Sequence, residues 1–218
     1  MNTAIQRKHM VDSQVRPNDV TDFGLQAAMA ELPRERFVPA DKRALAYVEQ
    51  DVPLFEDRWL LKARDFSKLI NEAIIQSDDL VLDVACGYGY STAVLAQLAG
   101  VVVAVEEDES VCAAATEKLA AAGVDNAVVI TNPLAEGYEK QAPYDVIVVA
   151  GGVEGNLDGL LSQLKPDVGR LVTIEVSNRV GTAKLYTRSG EAFGERKLFE
   201  AHPAGVIPAF QNPVTFTF

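Results

Sequence analysis

Cysteine is scarce in this 218-residue chain: Cys86 and Cys112 stand without a CxxC pair or a Cys/His cluster around them. Neither a disulfide scaffold nor a structural zinc site is expected. Histidine is equally rare, and His9 and His202 lie far apart with no ligand partners nearby, so no metal site is expected either. Long apolar runs are missing. No stretch approaches the roughly 18 apolar residues of a membrane span, and the opening MNTAIQRKHMVDSQVR lacks the apolar core of a signal peptide. The expectation is a cytoplasmic protein with no membrane partner.

Positive charge is missing from the middle of the chain. Residues 79–166 hold 3 basic and 13 acidic residues, against 11 and 13 in residues 1–78 and 6 and 5 in residues 167–218. Most of the net charge of −11 therefore sits in one segment. Such a field repels phosphate backbones, and no nucleic-acid partner is expected. The near-neutral, arginine-richer N-terminal segment is the better place to meet a polymeric or anionic substrate.

What is present is a globular composition, 48% hydrophobic and 23% charged. A chain of this length buries enough apolar surface to fold without staples. Leu25, Ala28, Met29 and Leu32 fall at helical spacing before Pro33, and Phe66, Leu69, Ile70, Ala73 and Ile74 repeat that pattern. Between them DVPLFEDRWLLKAR, residues 51–64, has no clear period and carries the single tryptophan, Trp59. It reads as an irregular or strand-like segment across the top of the domain.

From Leu80 the grammar changes. LVLDV (80–84), VVVAVE (101–106), AVVI (127–130) and YDVIVVA (144–150) are continuous β-branched runs, as in strands buried on both faces. Helical stretches at 91–98, 108–122 and 157–164 separate or follow them, which predicts a parallel sheet with right-handed crossovers. After Pro166 the period becomes two, with a turn at SNRVG, a hairpin signal at Ser189-Gly190, and a further alternation in the C-terminal VTFTF. The fold class expected is α/β. One domain is expected, with an N-terminal helical cap and substrate segment (1–78), a βα core (79–166) and antiparallel strands at the C-terminal edge (167–218).

VLDVACGYGYS, residues 81–91, is a strand running into a glycine turn that opens a helix. Gly87 and Gly89 permit positive φ and close approach of a ligand to the backbone, outside the carboxyl end of the strand. The next strand ends at Glu106, nineteen residues beyond Gly87, where a carboxylate can accept two hydrogen bonds from vicinal ribose hydroxyls. A nucleoside is implied, although such a turn also occurs in sheets that bind nothing. The third glycine of a dinucleotide fingerprint is Thr92 here, and Asp83 would repel a pyrophosphate but pair with the amino group of a methionyl tail. The local chemistry favours S-adenosyl-L-methionine over NAD.

MVDSQVRPNDVTD, AMAELPRERFVPA, VLDVACGYGYSTAVLA, APYDVIVVAGG and QLKPDVGRLV occur in that order. Together they resemble the protein-L-isoaspartate O-methyltransferase family over roughly residues 7–176. The resemblance implies a Rossmann-like class I adenosylmethionine-dependent methyltransferase fold. The implied activity is carboxyl O-methylation of an isoaspartyl residue in a damaged protein, with S-adenosyl-L-homocysteine as product. Asp83, Ala85, Gly87, Gly89 and Glu106 match the cofactor positions, with Ala85 standing where glycine is usual. The family's Gly-Asp-Gly after the third strand reads Asn132-Pro133-Leu134, which leaves adenine recognition to Asn132 or to apolar packing by Leu134. The family's hydroxyl-bearing Gly-Gln-Thr-Ile-Ser-Gln-Pro segment is replaced by residues 59–65, with Leu61 and Ala63 in place of threonine and serine.

Arg58, Lys62 and Arg64 in that segment are candidates for positioning a substrate carboxylate through charge-assisted hydrogen bonds. They are equally readable as solvated surface charges. Three functions compete: isoaspartyl methyl transfer, methyl transfer to another acid, and adenosylmethionine binding without turnover. The partner expected is a protein or peptide with a free carboxylate, and the assembly a monomer or a dimer. Cys86 is expected to be a packed residue rather than a reactive thiol. Asp108 and Glu109 are expected to favour the helix that follows them, and Asp145 is expected to be structural.

Overall fold

The computed structural model describes residues 2–212. VTFTF, read above as a further period-two alternation, lies outside the described residues. The N-terminal part contains helices α1 (Thr3–Met10) and α2 (Phe23–Glu31), joined by a wide π-helical turn over Val11–Val15 and a tight 3-10 turn over Arg16–Asn18. Asn2 and Asp22 cap α1 and α2 by accepting hydrogen bonds from backbone N–H groups of their first turns. The segment without a clear period folds into a two-stranded hairpin, β1 (Val52–Phe55) and β2 (Arg58–Leu60), reversed at Asp57 with φ 52°. Helix α3 (Ala63–Ala73) follows. Ile74, counted above on its apolar face, instead leaves the helix in a left-handed conformation and is exposed.

The βα core supplies β3 (Leu80–Val84), α4 (Tyr90–Ala96), β4 (Val101–Glu106), α5 (Glu109–Ala121), β5 (Ala127–Thr131), β6 (Val146–Val153) and α6 (Asp158–Ser162). The edge follows as β7 (Arg170–Ser177), β8 (Val180–Ser189) and β9 (Ala192–Ala201). These strands form a seven-stranded sheet in the order β5-β4-β3-β6-β7-β8-β9. The expected antiparallel edge is present in β8 and β9, but β7 pairs parallel with β6 and so extends the parallel core by one strand. Asn178 and Arg179 take positive φ in the SNRVG turn, the backbone hand a tight two-residue hairpin needs.

Residue alternation along each central strand sends its side chains into two separate cores. Val81, Val102, Val146 and Val148 pack with Phe66, Leu69, Ile70 and Val94 on one face. Leu82, Val84, Val103, Val105 and Ile147 pack with Leu157, Leu160, Leu161 and Leu164 on the other. Full burial of such a side chain is worth about 1.5–3 kcal/mol, which is why the runs contain almost no polar residue. In β3 and β4 the exceptions are Asp83 and Glu106, both fully buried. After β3 the chain builds outward through β4 to β5 and then returns to place β6 on the other side of β3. Open α/β sheets bind their ligands at such a switch point, outside the carboxyl ends of the strands.

Candidate cofactor corner

The corner begins where β3 ends. Ala85 takes φ 64°, Gly87 55° and Gly89 88°, so the chain turns three times through the left-handed region before α4 starts at Tyr90. The N–H groups of Ala85 and Cys86 both point to the carbonyl of Val105, at 2.9 and 3.3 Å, which ties the turn to β4. At Gly87 a Cβ would stand 2.9 Å from Leu54 Cδ1, and at Gly89 3.2 Å from Leu119 Cγ. Leu54 belongs to the β1–β2 hairpin. The hairpin therefore rests on the glycine turn.

Asp83 stands beneath this turn. Its Oδ2 accepts 2.7 Å hydrogen bonds from the hydroxyls of Ser91 and Thr92 in α4, while its Oδ1 has no partner among the described residues. Burial pushes the carboxyl up to about 6, against the lowering effect of the two hydroxyls. Thr92, in the place of a third fingerprint glycine, is thus a ligand of this acid. Cys86 is buried, and burial together with Asp83 and Glu106 raises its thiol well above the ordinary range, as suits a packed residue.

Glu106, at the end of β4, has a full set of donors. Arg58 Nη1 reaches Oε1 at 2.9 Å and Arg58 Nη2 reaches Oε2 at 2.7 Å. The backbone N–H of Gly87 donates to Oε2 at 2.9 Å, and that of Glu107 to Oε1 at 3.0 Å. Arg58 Nη2 also donates to the carbonyl of Ala85 at 2.8 Å, and the guanidinium lies 5.2 Å from the Phe55 ring centroid. This is a buried, bidentate ion pair inside the corner.

The other candidate positions are dispersed. Asn132 donates from Nδ2 to the carbonyl of Gly137 at 2.8 Å and lines an open depression of about 500 Å³ with Tyr138, Lys140 and Asn156. Leu134 is fully buried in the second core and turns away from that depression. Lys62 Nζ and Arg64 Nη1 form ion pairs with the fully buried Asp65, at 3.1 and 2.5 Å. Arg58, Lys62 and Arg64 therefore do not form one cationic face: each is engaged by a carboxylate of the chain itself. Leu61 and Ala63 are core residues. Asp108 caps α5 by accepting from the N–H groups of Ser110 and Val111, and Asp145 ties Lys165 to the start of β3, the roles expected of them.

Two residues that frame the corner carry no signal in the sequence. Asp51 accepts from the N–H of Lys62 at 2.8 Å and of Ala204 at 2.6 Å, pinning the hairpin base to the segment after β9. Trp59 lies where a Cβ on Gly205 would meet its ring at 2.3 Å. Both contacts join segments about 150 residues apart in sequence, beyond the reach of any local pattern.

Comparison with known proteins decides the family. The sequence model of the protein-L-isoaspartate(D-aspartate) O-methyltransferase family matches residues 5–201. The chain belongs to this family. It is 35% identical over 167 residues to the protein-L-isoaspartate O-methyltransferase of Methanoculleus marisnigri, covering 77% of this chain and 76% of the relative. It is 34% identical over 189 residues to that of Rhodopseudomonas palustris, covering 86% of each. A solved protein-L-isoaspartate O-methyltransferase superposes with a TM-score of 0.79 at 19% identity, over 94% of this chain and 67% of that one. A Plasmodium falciparum protein of the same described class, solved in complex with S-adenosyl-L-homocysteine, gives 0.75 at 14% identity, over 92% of this chain and 98% of that one. The fold is that of these methyltransferases. Among the described residues no helix is long and apolar enough to cross a membrane.

Proposed function

We propose that the chain is an S-adenosylmethionine-dependent carboxyl O-methyltransferase acting on isoaspartyl residues of proteins or peptides. The observation that carries this reading is the convergence of Asp83, the Gly87/Gly89 turn and Glu106 at the carboxyl ends of β3 and β4 in a chain of this family. The donor set fits such a cofactor. Glu106 suits two ribose hydroxyls, the glycine turn suits close backbone approach, and the unmet Oδ1 of Asp83 suits a cationic amino group. When bound, the cofactor supplies a methyl group on a sulfonium, an electrophile that needs no activation by the protein.

The remaining work falls to positioning. A substrate carboxylate, with a pKa near about 4, is ionised at neutral pH and needs no general base. Holding it about 3 Å from the methyl carbon, in line and away from water, can account for roughly 7–11 kcal/mol of the barrier. Of the three cations expected to orient the acceptor, Lys62 and Arg64 are proposed for that role, whereas Arg58 is committed to Glu106. Lys62 lines a depression of about 420 Å³ with Lys42 and His202 but also with the carboxylates of Glu49 and Asp51, and can exchange Asp65 for an incoming carboxylate. Asn132 is proposed for the adenine end, where its depression is open. A cytoplasmic location and a monomeric or dimeric state without nucleic acid belong to the same proposal.

Methyl transfer from labelled adenosylmethionine to an isoaspartyl peptide tests the reading. Base-labile label on the isoaspartyl peptide, and not on its aspartyl counterpart, is expected. Cofactor binding without transfer to any carboxylate would favour the alternative of a binding module without turnover.

A further inference from the structure

We infer that Arg58 is an occupant of the ribose seat supplied by the chain itself, so that a nucleoside gains Glu106 only by displacing the guanidinium and the tip of the β1–β2 hairpin that carries it. This rests on the proposed reading of Glu106 as the ribose acceptor. A carboxylate offers about four lone-pair sites. All are used here, by Arg58 Nη1 and Nη2 and by the N–H groups of Gly87 and Glu107. Two ribose hydroxyls therefore find no free acceptor, and binding is an exchange rather than an addition.

The arrangement is built rather than incidental. Arg58 and Glu106 are both buried, and the third contact of the guanidinium, to the carbonyl of Ala85, fixes it against the cofactor turn itself. Leu54 of the same hairpin stands on Gly87, where a ligand would approach the backbone. One small element thus covers two of the corner's contact points.

Only the tip of the hairpin has to move: its base is held by Asp51 and by the buried Val52 and Leu60, whereas Phe55, Glu56 and Asp57 at the turn are not buried. The hairpin's four- and three-residue strands pair with each other and not with the seven-stranded sheet, and a two-stranded ribbon has little stability of its own. A released guanidinium has partners waiting. Beside the pair lies a depression of about 330 Å³ lined by Glu56, Asp57, Glu107 and Asp108, so Arg58 can remain charge-paired while Glu106 changes ligand. If the open arrangement is a minor population, apparent affinity falls by that fraction.

Titration calorimetry with S-adenosyl-L-homocysteine tests this on the wild-type chain and on Arg58→Gln. Binding at least tenfold tighter in the variant is expected. A folded Arg58→Gln that binds no more tightly than wild type overturns the inference. Because removing Arg58 leaves Glu106 buried and unpaired, amide exchange on the wild-type chain provides an independent measurement. Saturating S-adenosyl-L-homocysteine is expected to lower protection at residues 55–58 while raising it at 85–92. Binding that leaves the hairpin's protection unchanged or increased overturns the displacement. Failure of every folded form to bind overturns the nucleoside reading itself, and the role of Arg58 with it.

Discussion

Asp83 and Glu106 end neighbouring parallel strands, both are fully buried, and they are treated in opposite ways. Glu106 meets a guanidinium and two backbone N–H groups, a set that supplies a donor to every lone pair. Asp83 meets two neutral hydroxyls on one oxygen and nothing on the other, and its pKa rises to about 6. A buried carboxylate with a cation completes the fold, whereas one without a cation waits for something. In a family whose corner is read as a cofactor seat, the completed half is the one already filled and the incomplete half is the one that keeps an unpaired oxygen.

Breaking the pair is the harshest test of that contrast. Arg58→Gln is expected to lower folding stability by about 3–5 kcal/mol at neutral pH, because it strands the Glu106 charge in the interior. Adding Glu106→Gln to the same chain is expected to recover much of the loss, since both charges are then gone. Urea unfolding of the two single variants and the double variant closes a cycle. Simple additivity would show that the pair is not coupled.

Asp83 is expected to respond in the opposite sense. Its folded pKa is raised, so the folded chain binds a proton that the unfolded chain releases near its ordinary value of 3.8. Stability is then highest below that value and falls as pH rises through about 6. Asp83→Asn is expected to remove this slope and to gain on the order of 2–3 kcal/mol above pH ~7, less any disturbance to the Ser91 and Thr92 hydroxyls. The measurement is the urea midpoint of wild type and variant at several pH values between about 4 and 8. Parallel curves would show that Asp83 is ionised normally and that the two halves of the corner do not differ.

Much of this corner was legible in the sequence and its state was not. The runs at 80–84 and 101–106 identify buried parallel strands, and the strands place Asp83, the glycines and Glu106 together, because strand ends are fixed by local pattern. The partner of Glu106 lies 48 residues earlier in a segment without period, and only tertiary packing brings it there. Lys62 and Arg64 are a different case. As a sequence cluster they resemble a substrate-facing patch, while their nearest strong partner, Asp65, sits in the same stretch and takes both. Charge spacing shows that cations are near one another but not which way each side chain turns. Helix α5 was more fully readable, since Asp108 and its two N–H donors are neighbours in sequence.

The smallest expected effect concerns the residue between the two acids. Ala85 takes φ 64°, a region in which an L-residue is disfavoured by roughly 1–2 kcal/mol, while glycine loses about 0.5–1 kcal/mol in chain entropy at an ordinary position. Ala85→Gly is therefore expected to stabilise the chain by up to about 1 kcal/mol, raising the thermal midpoint by a few degrees. The carbonyl that Arg58 Nη2 binds belongs to this residue, so the substitution also loosens the backbone to which the guanidinium is fixed. If Ala85 helps hold Arg58 on Glu106, the variant should bind S-adenosyl-L-homocysteine somewhat more tightly even as it becomes more stable. A stabilised variant with unchanged binding would confine the strain at Ala85 to the turn and leave the ion pair to be held by its own geometry.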